Sequence, residues 1–194
     1  MKRLFSFCLI FAISWSAMAK DPEVIISTSM GDITLRLFAD RAPVTVENFL
    51  SYVDSGYYSG TVFHRVIPSF MIQGGGFTPQ MQEKPGGRDP IVNEARNRVH
   101  NERGTIAMAR TNDPDSASNQ FFINVRNNFQ LDWAPRNPGY TVFGEVIEGM
   151  ATVDAIKLVP TASRAGHQNV PVEPVIITSV ARVAGPEKEV APGK

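Results

Sequence analysis

A chain of 194 residues, 43% of them hydrophobic, can bury one sizeable core and requires neither internal repeats nor a second domain. Its 19 basic and 19 acidic residues balance, so charge gives no case for a nucleic acid or an anionic membrane as partner. The single cysteine, Cys8, excludes a disulfide framework.

The first element is "MKRLFSFCLIFAISWSAMAK". A basic start at Lys2 and Arg3 leads into an apolar stretch from Leu4 to Trp15 and ends on the small-residue pattern Ala17-Met18-Ala19. This is the layout of a secretory signal over residues 1–19, too short to span a bilayer permanently. The A-x-A ending and the polar "KDPE" that follows favour cleavage over a retained anchoring helix, and Cys8 lies inside the apolar segment, where it is no lipidation site. The mature chain is expected to begin at Lys20, to contain no cysteine, and to carry 17 basic against 19 acidic residues, a net charge of about −2. Held by its core alone, it would comprise a domain over residues 20–184 and a frayed tail over 185–194, where no apolar pattern remains.

The segments "EVIISTS" and "GDITLRLF" predict a hairpin, because Ile33, Leu35 and Leu37 alternate with Asp32, Thr34 and Arg36 beyond a Met30-Gly31-Asp32 turn. Helical spacing follows in "PVTVENFLSYVDSGYY": Val46, Phe49, Leu50 and Val53 stand at i, i+3, i+4 and i+7, with Pro43 and Thr45 near the start and Gly56 past the end. Strands are predicted next in "TVFHRVI", "FMIQGG", "GTIAMAR", "QFFINV", "YTVFGEV" and "PVIITSVARV", making eight with the hairpin. A second helix in "EGMATVDAIKLVP" aligns Met150, Val153 and Ile156 and stops at Pro160. Short strands at this density favour a closed barrel or a sandwich. The polar stretches 77–103 and 110–119 are long loops, which compact domains usually put to use.

Several chemistries have little support. The mature chain has no thiol, no serine stands in a G-x-S-x-G elbow, and Ser116 and Ser118 read as turn formers. His64, His100 and His167 are far apart and suggest no zinc site. Gly74 to Gly76 precede no Lys-Ser/Thr and form no phosphate loop. What remains is a set of apolar and amide side chains around Arg65. Period two puts Phe63, Arg65 and Ile67 on one face and His64 and Val66 on the other, then sets Phe70 and Ile72 against Met71 and Gln73. His64 reads as a hydrogen-bonded sheet residue. Taken alone, the pattern makes Phe70, Met71 and Phe122 core residues and Arg65 a salt-bridged surface residue.

Four stretches change that reading. "FHRVIPSFMIQGGGF", "NERGTIAMAR", "SASNQFFINV" and "YTVFGEVIEGM" resemble, in order and spacing, the cyclophilin family of peptidyl-prolyl cis/trans isomerases, over Glu23 to Val183. With the signal sequence, the chain is most similar to the bacterial periplasmic branch. The resemblance implies a mainly β fold, an eight-stranded antiparallel closed barrel capped by two α-helices. It implies no metal and no cofactor. Carried over position by position, it makes Arg65 the catalytic residue. Phe70, Met71, Phe122 and Leu131 would form a slot for the proline ring. Gln73, Ala109 and the Arg110 backbone would hold the flanking chain, and Gln120 would orient Arg65 or touch substrate. Tyr140 stands where a histidine often lines the pocket and keeps a ring with a polar tip. The three glycines would let substrate backbone approach. Gln130 stands where a tryptophan or phenylalanine is common, with Phe129 one place earlier, which implies weakened cyclosporin binding. Proline-containing peptides and unfolded exported proteins are the expected partners of a monomer. The competing function is a non-catalytic, chaperone-like groove for the same segments; a barrel holding a small apolar ligand is a more distant alternative.

Overall fold

A computed structural model of the chain describes residues 21–183; the expected signal segment over 1–19 and tail over 185–194 lie outside the described residues. Strands β1 (Glu23–Thr28) and β2 (Gly31–Leu37) form the predicted hairpin, followed by helix α1 (Pro43–Asp54). Next come β3 (Thr61–Ile67), β4 (Met71–Gly74), β5 (Thr105–Met108), β6 (Phe121–Asn124) and β7 (Val142–Glu148). Helix α2 (Met150–Ile156), β8 (Thr161–Arg164), β9 (His167–Pro171) and β10 (Ile176–Arg182) complete the order. Eight strands close into one antiparallel barrel, β1-β10-β3-β4-β6-β5-β7-β2, as expected.

Alternation builds the barrel interior. Val24 pairs with Leu35 and Ile26 with Ile33, and all four are fully buried, while the residues between them are part-exposed. The helices complete this core. Val46, Phe49, Leu50 and Val53 of α1 and Val153 and Ile156 of α2 join the same buried cluster. Phe49 lies 5.2 Å from Tyr58, 5.8 Å from Phe121 and 5.1 Å from Phe143 by ring centroids. Asp154 of α2 holds both Arg103 and Lys157 at 2.7 Å.

Helix α1 has no side-chain cap from Ala42 at its N-terminus. Instead the Glu94 carboxylate, from the long polar loop, accepts from the Val44 and Thr45 amides at 3.2 and 2.8 Å and from the Thr45 hydroxyl at 2.7 Å. First-turn amides without intrahelical partners favour such an acceptor, and the helix dipole favours its charge.

Two facing expectations are corrected. Between β3 and β4 the register steps from Phe63↔Gly74 to Arg65↔Gln73, which leaves His64 as the extra residue of a bulge. Phe63 and Val66 therefore both join the barrel core, whereas Arg65 faces the outer surface with Ile67. Phe70 lies in the turn before β4, closed by its amide on the Ile67 carbonyl at 2.9 Å, and packs on the same outer cluster as Met71 rather than opposite it. The β8–β9 hairpin was not legible: every residue of β8 is exposed, so no apolar alternation marks it.

Candidate active site

A second buried cluster lies on the outer face of the barrel. Along β6, Phe121 and Ile123 face the interior while Phe122 faces out, and Met71 of β4, Ala107 of β5 and Val142 of β7 pack beside Phe122. Phe70, Ala109, Leu131 and Tyr140 pack around this floor. Above it is a cavity of about 100 Å³ lined by Arg65, Phe70, Met71, Gln73, Ala109, Arg110, Phe122, Leu131 and Tyr140. That is the liquid volume of about three water molecules, a space for a small ring. Gln120 is the one predicted site residue outside this lining. It borders an adjoining cavity of about 240 Å³ with Gln73, Ala109, Arg110 and Thr111.

The polar side chains form a row. Arg65 Nη1 donates to Gln73 Oε1 at 3.4 Å, and Gln73 Nε2 donates to Gln120 Oε1 at 3.1 Å. Among the described residues no carboxylate pairs with Arg65, which corrects the expectation of a salt-bridged arginine. Its guanidinium therefore keeps most of its donors for a ligand. The Arg110 side chain, which the sequence reading did not use, lies over the Tyr140 ring at 4.2 Å and donates through Nε to the Gly139 carbonyl at 3.0 Å. Tyr140 in turn meets Phe122 edge-on at 5.8 Å.

Buried amides hold the rim. Asn128 donates to the Phe70 carbonyl at 2.8 Å and to Asn124 Oδ1 at 2.7 Å, and Asn124 donates to Asn101 and Thr105 at 3.2 and 2.9 Å. Asn101, Asn124 and Asn128 are at most 1% exposed. Asp132 accepts from the Asn101 amide at 2.7 Å and lies 2.7 Å from His100 Nδ1. Burial alone would raise the Asp132 pKa, but the hydrogen bonds from Asn101 and His100 outweigh it and hold the carboxyl below its usual value. Through Asn128, which donates to the Phe70 carbonyl and accepts from the Leu131 amide at 2.8 Å, these bonds tie together the two segments that carry Phe70 and Leu131. The signal that could have revealed them is Asn124, a polar residue inside the strand "FFIN".

Other residues complete the surroundings of the slot. His64 is a strand residue hydrogen-bonded with the Val62 backbone and the Gln120 side chain, as expected, but its Nδ1 is buried without a partner, and burial, with His167 and Arg65 nearby, outweighs those bonds and pushes its pKa down to about 4. The glycines serve the protein's own packing. A Cβ at Gly75, where φ is +90°, would meet Phe121 and the Asn119 carbonyl at 2.9 and 3.0 Å, and one at Gly76 would meet the Gln120 side chain at 2.5 Å. Gln130 and Phe129 do not line the cavity; Gln130 donates to Asn128 at 3.4 Å, and the half-exposed Phe129 ring meets His100 at 5.8 Å.

The closed barrel thus carries on its outer face an apolar slot whose rim holds an arginine that no carboxylate among the described residues pairs. The model of the cyclophilin type peptidyl-prolyl cis-trans isomerase/CLD family matches residues 23–182, and the chain belongs to that family. It is 58% identical over 165 residues to peptidyl-prolyl cis-trans isomerase cyp18 of Streptomyces antibioticus, covering 84% of this chain and 98% of the relative. It is 52% identical over 160 residues to peptidyl-prolyl cis-trans isomerase B of Escherichia coli, covering 81% and 97%. A crystal structure of a Cryptosporidium parvum cyclophilin type isomerase, obtained in the presence of the dipeptide Ala-Pro, superposes with a TM-score of 0.71 at 30% identity, covering 84% of this chain and 99% of that one.

Proposed function

We propose that this chain speeds rotation about X-Pro bonds in incompletely folded, exported proteins, with Arg65 as the catalytic residue. Amide resonance opposes that rotation with a barrier of about 18–20 kcal/mol, and the uncatalysed step takes tens to hundreds of seconds. At the twisted transition state the imide nitrogen becomes pyramidal and regains a lone pair. A guanidinium beside that nitrogen stabilises the transition state more than either planar ground state, which is what catalysis requires.

The observation that carries the reading is Arg65, without a carboxylate partner, on the rim of the slot walled by Phe70, Met71, Phe122 and Leu131. The walls hold the ring while the flanking chain turns, and displaced water strengthens the arginine's interaction. Gln73 holds Arg65 on one side and Gln120 on the other. Ala109, Arg110 and Tyr140 border the path of the flanking chain.

Arg65→Ala should lower kcat/KM for a proline-containing peptide at least tenfold in a coupled protease assay while the fold stays intact. Near-normal turnover by the folded variant would refute the assignment, and a wild type that binds unfolded exported chains without accelerating them would favour the chaperone-like reading. Because neither Gln130 nor Phe129 borders the slot, cyclosporin should inhibit weakly. A nanomolar inhibition constant would contradict this. Export to the periplasm is read from residues 1–19, and fractionation of cells expressing the chain with and without them tests it.

A further inference from the structure

Arg65, Gln73 and Gln120 also border a third opening. It measures about 500 Å³ and adds His64, Phe77 and residues Gly166, His167, Gln168 and Asn169 to those three. Gln73 lines this groove, the slot beside Arg65 and the cavity beside Gln120, so all three openings border that one side chain.

We propose that this groove is a further subsite for the substrate polypeptide, and that it takes an extended, uncharged polar segment flanking the proline. The inference rests on the isomerase reading of the neighbouring slot.

Its chemistry selects that ligand. Apart from Arg65, every lining side chain is an amide, an imidazole or an aromatic ring. Gln73, Gln120, Gln168 and Asn169 each offer both donors and acceptors, which suits peptide groups and the side chains of Ser, Thr, Asn and Gln. A lysine or arginine from substrate would find no carboxylate in the lining and would meet the like charge of Arg65.

The wall is built rather than incidental. His64 is 4% exposed and keeps Nδ1 without a partner, which is uncommon for a buried polar atom. Phe77 stands between His64 at 4.6 Å and His167 at 5.0 Å and ties the bulge to the hairpin. Val170 of β9 is fixed against Val62, Phe77 and Met81. Strand β8 adds no buried residue to the protein, and the hairpin spends strain besides: Ala165 and Asn169, neither of them glycine, hold φ of 50° and 59°. What the hairpin does provide is the outer side of this groove.

The test compares a proline tetrapeptide with the same peptide lengthened by Ser-Asn-Gln at its N-terminal or its C-terminal end. It uses the wild type and a Gln168→Ala/Asn169→Gly variant whose melting curve shows it folded. One lengthened peptide should show a KM at least threefold lower than the tetrapeptide with wild type. The variant should lose that gain yet turn over the tetrapeptide as wild type does, and Lys-Lys-Lys in place of Ser-Asn-Gln should abolish it. No gain from either extension, or equal losses on short and long peptides, would overturn the subsite. If the wild type failed to accelerate the tetrapeptide, the isomerase reading itself would fall. Fluorescence titration would then decide the groove separately: tighter binding of a lengthened peptide by wild type than by the variant supports it, and equal binding overturns it.

Discussion

Two neighbours in β3, His64 and Arg65, end in different environments because one extra residue is inserted opposite β4. Arg65 reaches the rim of the slot. His64 is buried, and its pKa falls from 6.5 to about 4. As pH drops below 6.5 the unfolded chain binds a proton that the folded chain refuses until about pH 4, so stability is full above 6.5 and declines toward 4. The whole difference corresponds to roughly 3 kcal/mol. His100 acts in the opposite sense: Asp132 raises its pKa, so its small contribution is present below 6.5 and disappears as pH rises through the raised value. Urea midpoints at pH 7 and pH 4.5 should separate the two. His64→Gln should flatten most of the acid loss, and an unchanged pH dependence in that variant would show that His64 is not its source. None of this was legible beforehand, since His64 follows the same alternation as its neighbours and only the register reveals the bulge.

At the scale of elements, the β1–β2 hairpin and both helices were legible because each has one apolar face whose burial fixes period and register, whereas β5 and β6, buried on both faces, were legible as short apolar runs. The β8–β9 hairpin has no such face, and the loop over 77–103 showed only polarity. In the fold that loop delivers Glu94 to the first turn of α1. Glu94→Ala should therefore cost about 1–2 kcal/mol, the usual loss for a missing helix cap. Thermal melting together with amide exchange at Val44 and Thr45 would check it; unchanged protection of both amides would remove the capping role. The same logic applies to Asn101, Asn124 and Asn128, whose turn-forming residue type concealed their use as buried ties for the rim that carries Phe70 and Leu131.

Across the whole molecule, three buried apolar clusters lie among the described residues: the barrel interior around Phe49, the outer cluster around Met71 and Phe122, and a small one around Phe77 and Val170. The first two lie on alternate faces of β4, β5, β6 and β7. Phe49→Ala should thus destabilise the protein by about 3–5 kcal/mol, read from urea unfolding, while kcat/KM per folded molecule changes less than twofold. A proportionate loss of turnover in the folded fraction would mean that the barrel core and the slot are mechanically one unit.

Residue type and spacing by themselves determined the number of barrel strands, the apolar stripes of both helices and the family, because these depend on local periodicity and on contiguous motifs. The resemblance those motifs carry, and not the pattern of residues taken alone, named the side chains that border the slot. Tertiary structure alone decided that Arg65 has no carboxylate partner among the described residues, that the glycines accommodate Phe121 and Gln120, and that a hairpin and a bulged histidine wall a third opening. Each of these depends on which distant segments meet, and no local pattern of side chains encodes the absence of a neighbour.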